Sequence, residues 1–479
     1  MFKPIGNAYL VLAAIAISAC SYGAWAQEDS EAMDVADDAV AEFETLALGE
    51  GGEYDVSGDC RCLGTRPTLT GDWHGYRTCL QQSGVTFAGR STHFAFGIDG
   101  GIDSPLVAAL TPLGMGDTFK YTGRGEYDLI FDLEKFGGLP HGKLLVRAEH
   151  WYGEFGNVSL HTGALTPAVF PAALPPEPNN EGVPYITNFL VTQPLSEKLI
   201  VFAGKKDVLG AADQDIFAGG DGTSQFVNQA FVANPAFLLA LPYSGFTAGA
   251  VMPQSWGMVS AFVYDPKNRT KDFFNLDDLF AKGVIVGGEV KVSTNLFNKP
   301  GEHHVGGIWK HVDLVDLAFD EPPPGQYPYP QGGLVTKPDS YTIYYGFDQY
   351  FVTYPGERPG IGPKKDPRGW GLFGRASISD GNPTPLRYFL SLGLGGNSPL
   401  RDHRDNWGLG WYYVGASNEF GPLPRTLLDP QDGTGVEMFY NFQVTPWLNV
   451  SPDVQYILPG NRAIANDAFI YGLRVNMLL

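Results

Sequence analysis

The sequence predicts an all-β fold: an antiparallel transmembrane β-barrel carrying a short N-terminal helix. Three observations predict it. The last residues, YGLRVNMLL (471–479), place Tyr471, Leu473, Val475, Met477 and Leu479 on one face of an extended strand. Gly472, Arg474 and Asn476 fall on the other face, with Leu478 as its only apolar residue. A period of two marks a strand with one apolar and one polar side. Two similar strands precede it. Val436, Met438, Tyr440, Phe442 and Val444 alternate with Glu437, Phe439, Asn441 and Gln443, and Leu448, Val450, Pro452, Val454 and Tyr456 alternate with Asn449, Ser451, Asp453 and Gln455. A tight turn, Thr445-Pro446-Trp447, joins these two, and a longer polar loop (459–467) leads to the last strand. Short turns at one end and long loops at the other are the asymmetry of a membrane barrel, and Trp447 and Tyr456 suit its interfacial girdle. Finally, 61 glycines and 13% aromatics fit many strands with tight turns and interfacial rings. The same strands would also fit a meander in a soluble sandwich.

Charge excludes one class of function. Lys+Arg is 32 and Asp+Glu 52, a net charge of −20, which argues against nucleic acid as a partner. Twelve of the acidic residues lie in 27–59, which has no Lys or Arg. Mean hydropathy is −0.10, which a barrel tolerates because half of each strand faces water.

In chain order, residues 1–26 form an export signal: Lys3, an apolar run over 8–17, and Ala24-Trp25-Ala26 before cleavage at Gln27. A rival reading takes Ile17-Ser18-Ala19-Cys20 as a lipoprotein box that leaves a lipid on Cys20. Residues 27–62 read as an acidic, disordered spacer. Segment 63–84 reads as a periplasmic helix, capped by Thr70 or Asp72 and ended by Ser83-Gly84, with Trp73, Tyr76 and Leu80 in one apolar stripe. In an exported chain, Cys79 pairs with Cys60 or Cys62, most simply Cys62; His74 with the three cysteines is a weaker zinc pattern.

The barrel is assigned to 85–479. Strands are expected over 122–133 and 142–152 around a Gly137-Gly138-Leu139-Pro140 hairpin turn, then over 198–206, 246–252, 256–264, 284–294, 305–313, 341–353, 370–379, 387–394 and 406–414. Loops are expected at 167–184, 266–279, 320–329 and 355–367, the first long enough to fold over a pore mouth. About 14 to 18 strands fit, at roughly 25 residues per strand, which suits an aqueous pore.

Several runs together resemble the carbohydrate-selective porins of the OprB type. They are LTGDWHGYRTCLQQSGV (69–85), AGKKDVLGAADQDIFAGGDGTSQFVNQAF (203–231), GRASISDGNPTPLRYFLSLGLGG (374–396), and GVEMFYNFQVTPWLNVSPDVQYILPG (435–460) with GLRV (472–475). The resemblance implies a 16-stranded outer-membrane barrel that admits glucose-type sugars by diffusion. Its expected partners are small sugars, outer-membrane lipids and the barrel assembly machinery, with monomer and homo-oligomer both open. The acidic spacer and Cys60-Arg61-Cys62 are extra. His74 stands where the family usually has Gly, and Leu479 where an assembly signal has an aromatic.

A sugar channel needs charged, planar hydrogen-bonding groups beside an aromatic surface. Arg124, Glu126, Arg147 and Glu149 with Trp151 supply these on paired strands, and Arg375, Glu437 and Arg474 are further inward-parity charges. They form the expected constriction; a wall-bracing salt-bridge ladder is the alternative. Lys206 and Asp207 fit a turn. His303, His304 and His311 could suggest a metal, but His303-His304 follows Pro300-Gly301-Glu302 and reads as exposed turn histidines; Glu126, Asp128 and Glu149 read as polar-face carboxylates rather than a glycosidase pair. No cofactor, metal or enzymatic step is expected. A general ion-selective porin and a secreted β-rich glycosidase are the alternatives.

Overall fold

The computed structural model describes residues 62–479 apart from 104–117, 155–156, 171–182, 210–214, 220, 319–334, 358–366, 422–424 and 426–428. The export signal, nearly all of the acidic spacer, Cys20 and Cys60 lie outside the described residues.

Sixteen antiparallel strands close into one barrel, each beside its sequence neighbours, with the first paired to the last. They are β1 (Val85–Ile102), β2 (Phe119–Asp132), β3 (Lys143–Gly153), β4 (Tyr185–Ser196), β5 (Leu199–Asp207), β6 (Ser244–Gln254), β7 (Gly257–Tyr264) and β8 (Gly283–Leu296). The other half is β9 (Lys299–Val315), β10 (Thr336–Glu357), β11 (Pro367–Ser379), β12 (Leu386–Asn397), β13 (Asn406–Ala416), β14 (Gly433–Thr445), β15 (Leu448–Leu458) and β16 (Ala465–Leu478). Closure pairs His93 with Val475 and Phe96 with Gly472. A closed ladder leaves no edge, which a barrel in lipid requires.

The alternation that predicted the strands sets the two sides of the wall. Tyr471 and Leu473 face outward and exposed, while Arg474 and Asn476 are buried inside. Leu390, Leu392, Leu409, Trp411, Val436 and Met438 continue the outer apolar band. Arg124, Glu149, Arg375 and Glu437 are buried on the inside. Apolar-out and charged-in inverts a soluble sandwich and makes this a membrane-spanning wall.

The core sits within the barrel. Connections β3–β4 and β5–β6 fold inward. From the β3–β4 connection, Val158, Ala168 and Val169 pack on Phe94, Phe96 and Ile470 of the wall. From the β5–β6 connection, Phe217, Phe226 and Phe231 pack on Tyr350, Phe373, Tyr412 and Phe439. Phe226 stands edge-on to Phe439 at 4.8 Å, as aromatic pairs prefer. This close approach needs glycine opposite: a Cβ on Gly408 would lie 2.5 Å from the Phe226 ring. A short helix of this connection, Pro235–Ala240, packs toward β9–β12.

The helix predicted in 63–84 is α1 (Tyr76–Gln82), entered through a tight turn at Trp73–Gly75. Its packing differs from the expected stripe. Tyr76 and Leu80 are exposed, and Arg77 is the buried residue. Arg77 donates to the carbonyls of Leu479 at 2.9 Å and Phe87 at 2.8 Å, and to the Thr68 hydroxyl at 3.1 Å. The guanidinium satisfies backbone at the barrel's closing seam, which an apolar stripe could not do. His74 has φ 60° and Gly75 φ 91°, so the turn holds left-handed backbone where glycine is the easy residue.

Other expectations change. Trp447 is buried, its indole N–H donating to the Leu63 carbonyl at 2.7 Å; it ties the N-terminal segment to the turn instead of joining the girdle. Tyr456 remains exposed. His303 and His304 lie within β9, because the turn is made at Phe297-Asn298, both left-handed. His304 points inward, 3.6 Å from Asp215, while His303 faces outward, 2.7 Å from the Tyr345 hydroxyl. Cys62 and Cys79 are free, exposed thiols, and the Cys62–Cys79 bridge is not formed. Cys62 instead lies 3.5 Å from the Thr65 hydroxyl in its own turn.

Candidate functional site

The β2–β3 hairpin carries the centre of the site. Its register sets Glu126 directly across from Glu149, Arg124 across from Trp151, and Asp128 across from Arg147. Two carboxylates facing each other would be unfavourable alone. Guanidinia relieve this on both sides. Arg124 Nη2 lies 3.0 Å from Glu149 and 3.0 Å from Glu126, and Arg90 of β1 lies 2.8 Å from Glu126. Arg147 grips Asp128 with two donors, at 2.7 and 2.8 Å, and reaches Asp207 at 3.4 Å.

The inserted β5–β6 connection completes this cluster. Asp221 pairs with Arg90, whose Nη1 also donates to Thr223 at 2.6 Å. Burial alone would push the Asp221 carboxyl up; Arg90, Arg124 and the Thr223 hydroxyl outweigh it and hold the group at about 2. Tyr243 donates its hydroxyl to Glu149 at 2.6 Å, and Thr187 donates to the other oxygen at 2.7 Å. Burial, first, and the Glu149 charge hold the Tyr243 phenol far above its ordinary value, against the pull of Arg124. Trp151 stands edge-on to Tyr243 at 5.6 Å, beside Tyr185 at 6.0 Å.

Within this tight network, some donors have no hydrogen-bond partner among the described residues: Arg124 Nη1, Trp151 Nε1 and Thr122 Oγ1. They are three donors, counting the hydroxyl, on a single strand pair.

Arg375, Glu437 and Arg474 do not join this group. Arg375 binds Asp215 at 2.8 Å and the Phe231 carbonyl at 2.6 Å. Glu437 accepts from the backbone N–H of Val227 at 2.6 Å and Asn228 at 2.9 Å. Arg474 donates to the carbonyls of Gly222 at 2.7 Å and Gln225 at 2.5 Å. All three clamp the inserted connection to the wall. The F-V-N-Q-A-F run (226–231) is the clamped segment, and Asn228 also donates to Gln455 at 3.0 Å.

Sequence reasoning missed Arg90, Asp221, Thr187 and Tyr243. Arg90 has the inward parity of β1, so strand phase alone could have marked it. Asp221 and Tyr243 come from a connection with no periodic signal. Asp207 ends β5 and joins the ion ladder, so it is more than a turn residue. Among the described residues, no group of three or more His, Cys, Asp or Glu could hold a metal. Glu126, Asp128 and Glu149 are each committed to guanidinia.

The sequence pattern of the carbohydrate-selective porin family, OprB, matches residues 117–478. The high-pH structure of OprB from Pseudomonas putida superposes with a TM-score of 0.71 at 18% identity, covering 88% of this chain and 100% of that one. The low-pH structure of the same protein gives 0.49 at 14% identity, covering 87% and 99%. The channel DcaP of Acinetobacter baumannii gives 0.46 at 10% identity, covering 82% and 97%. No curated protein matches the chain. The closed sixteen-stranded barrel, its inward-folded connections and the family match over 117–478 agree, and the chain belongs to the carbohydrate-selective porin family, OprB, as a passive outer-membrane porin for carbohydrates.

Proposed function

We propose that sugar selectivity is set at the β2–β3 wall by Arg124, Glu126, Arg147, Glu149 and Trp151, narrowed by the β5–β6 connection. The observation that carries this is the set of donors without a hydrogen bond on Arg124, Trp151 and Thr122, beside the Glu126 and Glu149 carboxylates. A buried donor without a partner is costly, so a small side-chain shift that lets a hydroxyl reach it is favoured. A glucose-type sugar brings hydroxyls that accept as well as donate, so it suits these donors and the carboxylates beside them. Trp151 adds an apolar surface for the sugar's ring hydrogens. Charges of both signs favour a neutral, polar solute over an ion of one sign.

Arg375, Glu437 and Arg474 act one step away, by fixing the connection that narrows the lumen. The test is glucose block of single-channel current in Arg124→Ala and Glu149→Ala. Weaker block with the barrel still assembled supports the assignment; unchanged block and unchanged conductance in both variants would remove these residues from the constriction.

A further inference from the structure

On β5–β10 the inner wall changes character. A porin lumen is ordinarily polar. Here a cavity between the wall and the 235–241 segment has an apolar part, with Lys206, Asp215, Glu289, Lys291 and His304 along its polar edge. Phe202, Phe262 and Tyr344 pave the wall. Each ring lies against a glycine on the adjoining strand: a Cβ on Gly249, Gly287 or Gly306 would fall 2.5, 2.3 or 2.3 Å from the ring over it. Rings held against backbone in this way keep a face turned to the cavity. Leu241, Val251 and Met258 fill in around them.

Where Phe202, Phe262, Val251 and Met258 meet, a sugar's hydroxyls would lose water and gain no hydrogen bond. These side chains suit a flat apolar ring. The polar edge of the cavity adjoins the ion ladder. Lys206 stands over Phe202, 5.8 Å from its ring centroid, and its chain neighbour Asp207 holds Arg147. Glu289 accepts from the Tyr344 hydroxyl at 3.1 Å. A molecule with a sugar at one end and an aromatic ring at the other would meet matched chemistry at both.

We propose that this cavity binds the aromatic part of aryl glycosides, which makes such glycosides a further class of cargo. The inference rests on the sugar-porin reading and adds a second subsite to it. The experiment compares block of single-channel current by glucose and by 4-nitrophenyl β-glucoside, using the full-length protein in planar bilayers. The aryl glucoside is expected to block at concentrations about tenfold or more below glucose, the gain for burying one ring. Phe262→Ala should remove that excess and leave glucose block as it was, and the milder Phe262→Leu should remove part of it. Retained glucose block shows that each variant is folded. Equal block by the two sugars in the native protein would overturn the inference, as would an excess that survives both variants. Cellobiose blocking as strongly as the aryl glucoside would also overturn it, by assigning the cavity to a second sugar. Loss of glucose block alone, with a Phe262-dependent aryl effect intact, would instead overturn the β2–β3 assignment and keep this one.

Discussion

Arg124 is buried with one terminal nitrogen on Glu149 and the other lacking a hydrogen bond among the described residues. A side chain held this way is positioned before any solute arrives, which limits the ordering cost of binding. Glu149→Gln should keep the shape and lose the charge. We expect glucose block about tenfold weaker, the worth of one charge-assisted hydrogen bond, with assembly retained on a heat-modifiable gel. Asp221 gives a second prediction at this scale. Its pKa is held at about 2 against an ordinary 3.8, so the stabilisation is complete above 3.8 and is lost as pH falls through 2. Open-channel noise should therefore stay constant from about pH 8 to 5 and rise only below about pH 4. Asp221→Asn should show that noise at neutral pH; a transition near pH 6 would mean another group controls the loop. The alternation of β2 and β3 made Arg124, Glu126, Arg147, Glu149 and Trp151 legible in the sequence. It placed Arg375, Glu437 and Arg474 on the inner face, where they lie, but not against the inserted connection, because parity reports which face a side chain takes, not what fills the space in front of it.

At the scale of elements, the β5–β6 connection is the part proposed to turn a wide barrel into a selective one. Glu437 accepts from its backbone N–H groups and Arg474 donates to its carbonyls, so truncating either leaves buried polar groups unmet. Glu437→Ala or Arg474→Ala should raise conductance and noise and weaken glucose block, while Asn449→Ala at the turn end serves as a control. The sequence could not show this meeting. Val227 and Glu437 are 210 residues apart, and a loop with no period carries no phase. The F-x-N-x-A-F and V-E-x-x-Y runs that marked the resemblance are the two halves of one clamp. For α1, the apolar stripe was misleading and the arginine decisive. Arg77→Ala should lower the temperature at which the barrel opens on a gel, at a cost of about 2 kcal/mol from its lost backbone hydrogen bonds, and Tyr76→Ser should not.

At the scale of the whole molecule, the barrel itself was the most legible feature. Its strands announce themselves because lipid outside and water inside impose the same alternation on every one of them. Strand β4 escaped notice, since Pro194 and the bulge near Arg147 break its pattern. The same physics predicts that Leu392→Arg, on the outer face in the middle of β12, costs about 2–4 kcal/mol of barrel stability, as read by urea unfolding from vesicles. The central claim is that sugar enters a constriction built from the β2–β3 ion cluster. Single-channel current in a planar bilayer, with glucose titrated against the full-length protein, tests it most directly. Stepwise currents that glucose reduces saturably, and reduces less in Glu149→Gln, are the result this account predicts. Steps that glucose leaves unchanged at any concentration would contradict it.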